Sequence, residues 1–224
     1  RSTSAGARRS GRGSSRRGRV SVVSFGRLSA LQARVLCVLA GLRPRWTLTG
    51  GGALVGAYTK HRETRDLDLF WHAAKELGSL PREVARLLTA DGFVVESVQS
   101  APAFHRYRAA KGEESVLIDL VADPVPPLEE PREFVIEGVA ILVDTEREIL
   151  VNKLCTLLER SELRDLQDVR VLLEAGGDLE PSLAQAPQKD AGFSPLTLAW
   201  VLRELPISSL GLGNRAAIRY SSVR

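Results

Sequence analysis

The sequence predicts an α/β (α+β) protein: a core in which helices and strands alternate, followed by a C-terminal helical subdomain. Three observations carry that expectation. Between Leu28 and Val143 apolar residues switch between helical spacing and strict alternation, and after Thr145 only helical spacing remains. At 224 residues and 44% hydrophobic, the chain can bury one sizeable core or two small ones. Its longest apolar run, residues 35–42, is eight residues, far short of the roughly 20 that cross a bilayer, so no membrane partner is expected.

The first helix runs over 28–42, where Leu28, Leu31, Val35, Leu36 and Leu39 share a face and Pro44 follows as a stop. Trp46 to Thr49 reads as a short strand entering Gly50-Gly51-Gly52, and Ala53 to Tyr58 as a helix. In 66–71 acids alternate with apolar residues, the mark of a half-buried strand. A helix over 81–88 has Pro81 in its first turn. Strands follow at 93–98, 104–108 and 116–121, then a Pro-rich loop over 124–131. Strands 134–136 and 139–143 flank Glu137-Gly138, a hairpin turn. Helices are expected over 146–159, 163–173 and 194–205, with Gly176-Gly177 ending the second. The expected organisation is a disordered basic tail (1–26), a core (27–145), a helical subdomain (146–205) and a C-terminal tail (206–224).

The chemistry concentrates in 48–70. A strand ends in three glycines and a helix begins at once, which leaves backbone N–H groups free for an anion and lets a phosphate approach closely. Fourteen residues after Gly52 comes Asp66, then Asp68. Residues i and i+2 of a strand share a face, so the two carboxylates stand side by side with Leu67 and Leu69 turned to the core. Such a pair repels itself unless a cation lies between, and magnesium takes carboxylate and phosphate oxygens together. Each signal alone is weak, since glycine turns and Asp-x-Asp are common; within one strand–glycine–helix–strand unit they point to attack at a nucleotide phosphorus. A dinucleotide fingerprint fails because Val55 stands where the third small residue belongs, and a P-loop fails because no Gly-Lys-Ser/Thr follows.

Gly50-Gly51-Gly52-Ala53-Leu54 with Arg62-x-Thr64-x-Asp66-Leu67-Asp68-Leu69 resembles the nucleotidyltransferase superfamily of DNA polymerase β type, and more narrowly the AbiEii/AbiGii toxin-like members. A second block is similar too: Lys153-Leu154-x-x-Leu157-x-x-Arg160, then Arg164-Asp165-Leu166-x-Asp168. The resemblance runs from about Leu28 to Leu205. It implies a nucleotidyltransferase core with a mixed sheet, magnesium on Asp66 and Asp68, and Gly51 and Gly52 facing the triphosphate. Arg62 would support the phosphates or the strand. Asp119 is placed for a third metal ligand that could also help deprotonate the acceptor, or it is an edge-strand surface acid. Lys153 and Arg160 share a helix face that either binds phosphates or is solvated, and Lys153 sits in a strongly apolar helix. Asp165 would position Lys153 or the ribose, while Asp168 would equally pair with Arg164 or Arg170. Many superfamily members carry Gly-Ser where this chain has Gly-Gly, so one phosphate-binding hydroxyl is missing. The resemblance also implies an NTP substrate, an RNA acceptor such as a tRNA end, and a cognate antitoxin.

The net charge of +4 conceals an asymmetry: seven of the 31 basic residues lie in 1–19, leaving 24 against 27 acids in the rest, a body of −3. An acidic body is a poor RNA binder by charge, which keeps a small-molecule or protein acceptor open. For the Arg-rich tail three explanations compete: a nucleic-acid arm, an organelle transit peptide, and an incidental extension, favoured by the absence of Met. Cys37 and Cys155 read as buried free thiols of a reducing, cytoplasmic protein. His61, His72 and His105 have no metal-ligand spacing and are expected in surface or structural roles. The rival class is a non-catalytic nucleotide-binding regulatory module; a decayed site would have lost its costly carboxylate pair first.

Overall fold

The computed structural model describes residues 26–205, so the two expected tails, residue 26 apart, lie outside it. Helix α1 (Ala30–Leu39) starts at a capping box, Ser29 accepting the Gln32 N–H while the Gln32 side chain accepts the Ser29 N–H. Strand β1 (Thr47–Thr49) is only three residues long and runs into α2 (Gly50–Ala53), whose last turn widens to π geometry over Leu54–Tyr58. Strand β2 (Asp66–His72) leads to α3 (Leu80–Ala90). Strands β3 (Val94–Ala101), β4 (Phe104–Lys111) and β5 (Glu114–Asp123) form a meander. Strands β6 (Arg132–Ile136) and β7 (Val139–Val143) form the expected hairpin, Glu137 and Gly138 both taking positive φ.

The seven strands make one mixed sheet in the order β3-β4-β5-β2-β1-β7-β6. β2 runs parallel to β5 and β1 parallel to β7; the other pairs are antiparallel. β5 is therefore interior, which rules out an edge-strand setting for Asp119. Along β2 burial alternates as expected: Leu67, Leu69 and Trp71 are buried, and Asp66, Asp68 and Phe70 face the opposite side.

Four helices follow: α4 (Glu146–Arg160), α5 (Leu163–Glu174), α6 (Leu179–Lys189) and α7 (Pro195–Glu204). The third was not expected, because Pro181 and Pro187 and a sparse apolar pattern argue against a helix. Pro181 sits in the first turn, where no intrahelical donor is needed, and Pro187 in the last. The buried Lys189 also holds α6 in place, pairing with Glu148 Oε1 at 2.5 Å and donating to the Pro126 carbonyl at 2.9 Å. No helix among the described residues is long and apolar enough to cross a membrane. Cys155 is buried as expected, whereas Cys37 is only half-buried because its Sγ reaches the exposed β6–β7 turn.

At the end of β2, His72 lies between two carboxylates, Nδ1 at 3.2 Å from Asp123 Oδ2 and Nε2 at 3.1 Å from Asp144 Oδ1. Burial works against its charge, but the two carboxylates outweigh it and push its pKa up to about 9. A raised imidazole stabilises the fold fully below about pH 6.5, and that stability is lost as pH rises through 9, at most roughly 3 kcal/mol. Urea unfolding at pH 6 and pH 10 should therefore show a larger loss for wild type than for His72→Gln. Equal losses would mean that the imidazolium contributes nothing.

Candidate active site

The site forms where the glycine turn, the outer face of β2 and helix α4 meet. Gly50 has φ +59, and a Cβ there would collide with Asp68 Oδ2; a Cβ on Gly51 would come within 2.9 Å of Arg62 Nη2. The turn is glycine because the acid strand and the Arg62 loop close directly over it. Asp66 Oδ1 accepts the Thr64 hydroxyl at 2.7 Å. Asp68 accepts no hydrogen bond from any described residue. Burial, then the neighbouring charges of Asp66 and Asp119, push its pKa up to about 7 against the pull of Lys153 and Arg160.

Asp119 lies in register with Asp68 on the adjacent strand. Both of its oxygens are already engaged: Arg106, on β4, donates Nε to Oδ1 and Nη2 to Oδ2, each at 2.6 Å. Among the described residues no three of His, Cys, Asp and Glu are gathered closely enough to enclose a metal ion. A divalent cation is nevertheless suited to Asp66 and Asp68. Among the described residues no cation contacts their oxygens, and a hard ion there would complete its shell with substrate oxygens rather than a protein cage.

The second sequence block supplies a buried ionic network. Lys153 Nζ lies 2.7 Å from Asp165 Oδ1 and 2.8 Å from Asp168 Oδ2, both carboxylates being fully buried. Arg160 Nε and Nη2 donate to Asp165 at 2.9 and 3.1 Å, so Asp165 positions both residues of the α4 face. Asp168 corrects the expectation. Arg164 pairs with Glu162 and Arg170 with Glu174, while Asp168 takes Arg62 through Nε and Nη2, both at 2.7 Å, and His61 Nε2 at 2.8 Å. Burial would raise the pKa of Asp168, but Arg62 and Lys153 hold it at about 2; Arg160 and Lys153 likewise keep Asp165 low against its burial. Arg62 thus reaches Gly51 as an extension of α5. The other two histidines are structural, His72 as described and His105 Nε2 on Ser97 Oγ.

Two spaces open from Asp68. A cleft of about 510 Å³ runs between the sheet face and α4, with Phe70, Phe104 and Val121 on one side and Asn152 and Thr156 on the other. A compartment of about 70 Å³ shares Asp68, Arg106, Asp119, Lys153 and Arg160 with it and adds Gly51, Arg62, Asp66 and Arg164. The first is large enough for a nucleoside; the second is small and lined by basic side chains and carboxylates together. Sequence reasoning missed Arg106 and Thr49. Thr49 Oγ1, buried and without a hydrogen-bond partner, lines the cleft beside Gly50. A hydroxyl therefore stands one residue before the Gly-Gly step that lacks one. The register of β4 against β5 brings Arg106 to Asp119, a pairing that no local pattern announces.

Comparison with known proteins agrees with this architecture. JHP933 from Helicobacter pylori is similar in structure (TM-score 0.50, 19% identity, 81% of this chain and 93% of the other covered). So is an antigenic nucleotidyltransferase-like protein from Paracoccidioides brasiliensis (TM-score 0.51, 17% identity, 82% and 93% covered). At these identities the likeness concerns the fold. No curated protein matches the chain. The family model described as nucleotidyl transferase AbiEii toxin, type IV toxin–antitoxin system, matches residues 34–204, which include the glycine turn, the acid strand and the α4–α5 network. The chain belongs to the AbiEii family of toxin nucleotidyltransferases.

Proposed function

We propose that the protein moves a nucleoside monophosphate from an NTP to an acceptor hydroxyl on RNA, with magnesium on Asp66 and Asp68, as the toxin partner of a cognate antitoxin. The observation that carries this reading is the meeting of two unlike spaces at Asp68: a small one where five basic side chains surround the acid pair, and a larger one with an aromatic floor. Magnesium, when bound, would neutralise the triphosphate and align its α-phosphorus for in-line attack. The chain's own residues do the rest. Gly51 admits the phosphates beside Arg62, and Lys153, fixed by Asp165 and Asp168, supplies positive charge from α4. The acceptor hydroxyl oxygen attacks the α-phosphorus as its proton passes to solvent water, the bond to the β-phosphate oxygen breaks, and pyrophosphate leaves.

A second reading has one observation in its favour. The cleft is also lined by Glu159 and Asp190, which form no ion pair among the described residues, with Lys189 beside them, and acids on its wall suit a cationic small molecule or protein better than RNA. One experiment decides between them: incubation with each α-labelled NTP, magnesium and total cellular RNA, comparing wild type with Asp68→Ala. Label on an RNA band with wild type alone is the expected result. Label on small molecules or protein instead would favour the second reading, and no transfer from any NTP to any acceptor would remove the catalytic one.

A further inference from the structure

Arg106 and Asp119 form a pair that the proposed reaction leaves without a task. Arg106 projects from the sheet wall, its guanidinium 5.6 Å from the centre of the Phe104 ring, and it borders both the cleft and the small compartment. Nε and Nη2 are spent on Asp119, so Nη1 keeps its donors, with no acceptor among the described residues. On the facing wall Arg160 repeats the arrangement: Nε and Nη2 lie on Asp165, and Nη1 has no acceptor among the described residues. Arg62, in contrast, has Nη1 committed to the Glu63 carbonyl, and Lys153 is shared between two acids.

A guanidinium gripped by a carboxylate behind it cannot swing, and its free edge becomes a fixed donor for the oxygens of a phosphate. Asp66 and Asp68 differ from Asp119 in kind: one is bonded only by a neutral hydroxyl and the other by nothing, whereas a contacting cation already neutralises Asp119. We infer that Arg106 binds the substrate's phosphates opposite Arg160, and that Asp119 is the positioning residue that aims it rather than a third ligand of the metal. The inference rests on the nucleotidyltransferase reading and names the groups that hold its triphosphate.

The test uses the full chain and two probes, manganese alone and inorganic tripolyphosphate, each titrated by calorimetry. Asp68→Asn should lose manganese binding. Asp119→Asn should keep manganese affinity within about threefold of wild type but bind tripolyphosphate about tenfold more weakly, because Arg106 loses its aim. Arg106→Gln should weaken tripolyphosphate by about tenfold to a hundredfold, and Arg106→Lys should not restore it, since an ammonium cannot hold Asp119 by two bonds and a phosphate as well. Because Arg106→Gln leaves a buried acid unpaired, the double variant Arg106→Gln/Asp119→Asn, which removes both charges, serves as the folded reference and should show the same tripolyphosphate loss with manganese retained. Loss of manganese in Asp119→Asn as complete as in Asp68→Asn would overturn the inference, as would unchanged tripolyphosphate affinity in the double variant. If wild type binds neither probe, the nucleotidyltransferase site itself is refuted.

Discussion

Replacing Asp68 with asparagine is expected to abolish transfer and, in the same molecule, to stabilise the fold above neutral pH. The two effects share one cause. Asp68 is a carboxylate with no hydrogen-bond partner among the described residues, pressed between Asp66 and Asp119, and its pKa is pushed up to about 7. Ionising it in the folded chain is therefore costlier than in the unfolded one. The penalty is absent below about pH 4, grows as pH rises, and is complete above 7, where it reaches roughly 4 kcal/mol. Asparagine keeps the shape and removes the charge, so urea unfolding in a chelator at pH 8 should show a higher midpoint for the variant, and at pH 4 no difference. The lost charge is also half of the proposed seat of the metal, whose stabilisation of developing charge would be worth several kcal/mol; transfer should fall by about 10³-fold or more. A variant that is inactive and less stable at pH 8 would show that Asp68 supports the fold and that its inactivity says nothing about catalysis.

The second large effect belongs to Lys153. Its ammonium is nearly buried and bridges two carboxylates that are wholly so. Lys153→Met removes the shared cation, leaving Asp165 with Arg160 and Asp168 with Arg62 and His61. Breaking a buried pair from one side costs about 3–5 kcal/mol, a large fraction of the stability of an ordinary domain. Lys153→Met/Asp165→Asn restores the balance of charge without restoring the cation. It should recover about half of the lost stability and none of the activity. Recovery of transfer would show that the ammonium matters only as mortar between α4 and α5. Failure to recover stability would place the defect in packing rather than charge.

Why the fold was largely legible in the sequence is clear from β2. Alternation there states which side is core, and the structure keeps it residue by residue, with Leu67 and Leu69 fully buried. The same holds for the helix over 146–160, where apolar spacing and the Thr145 cap agree. Helix α6 escaped because its stability comes from Lys189 reaching Glu148 across 41 positions, an interaction no window of sequence contains. The site divides in the same way. Asp66, Asp68 and the glycines advertise themselves by local spacing, and Lys153 by being a cation in an apolar helix. Arg106 and the true partners of Asp168 depend on strand register and on the docking of α5 against the Arg62 loop. Both are properties of the folded chain.

The bonds from Asp168 to His61 and Arg62 have a consequence for when the protein becomes active during its synthesis. They join positions 107 and 106 residues apart. The glycine turn and both aspartates of the acid strand leave the ribosome early, yet the loop that carries Arg62 lacks its Asp168 anchor until α5 has been made and has docked. Folding proceeds from the N-terminus as the chain emerges. A nascent chain thus carries an incomplete site while its sheet is already forming, and the site is whole only after α5 has emerged and docked. For a toxin, this order of events separates making the acid strand from completing the site around it.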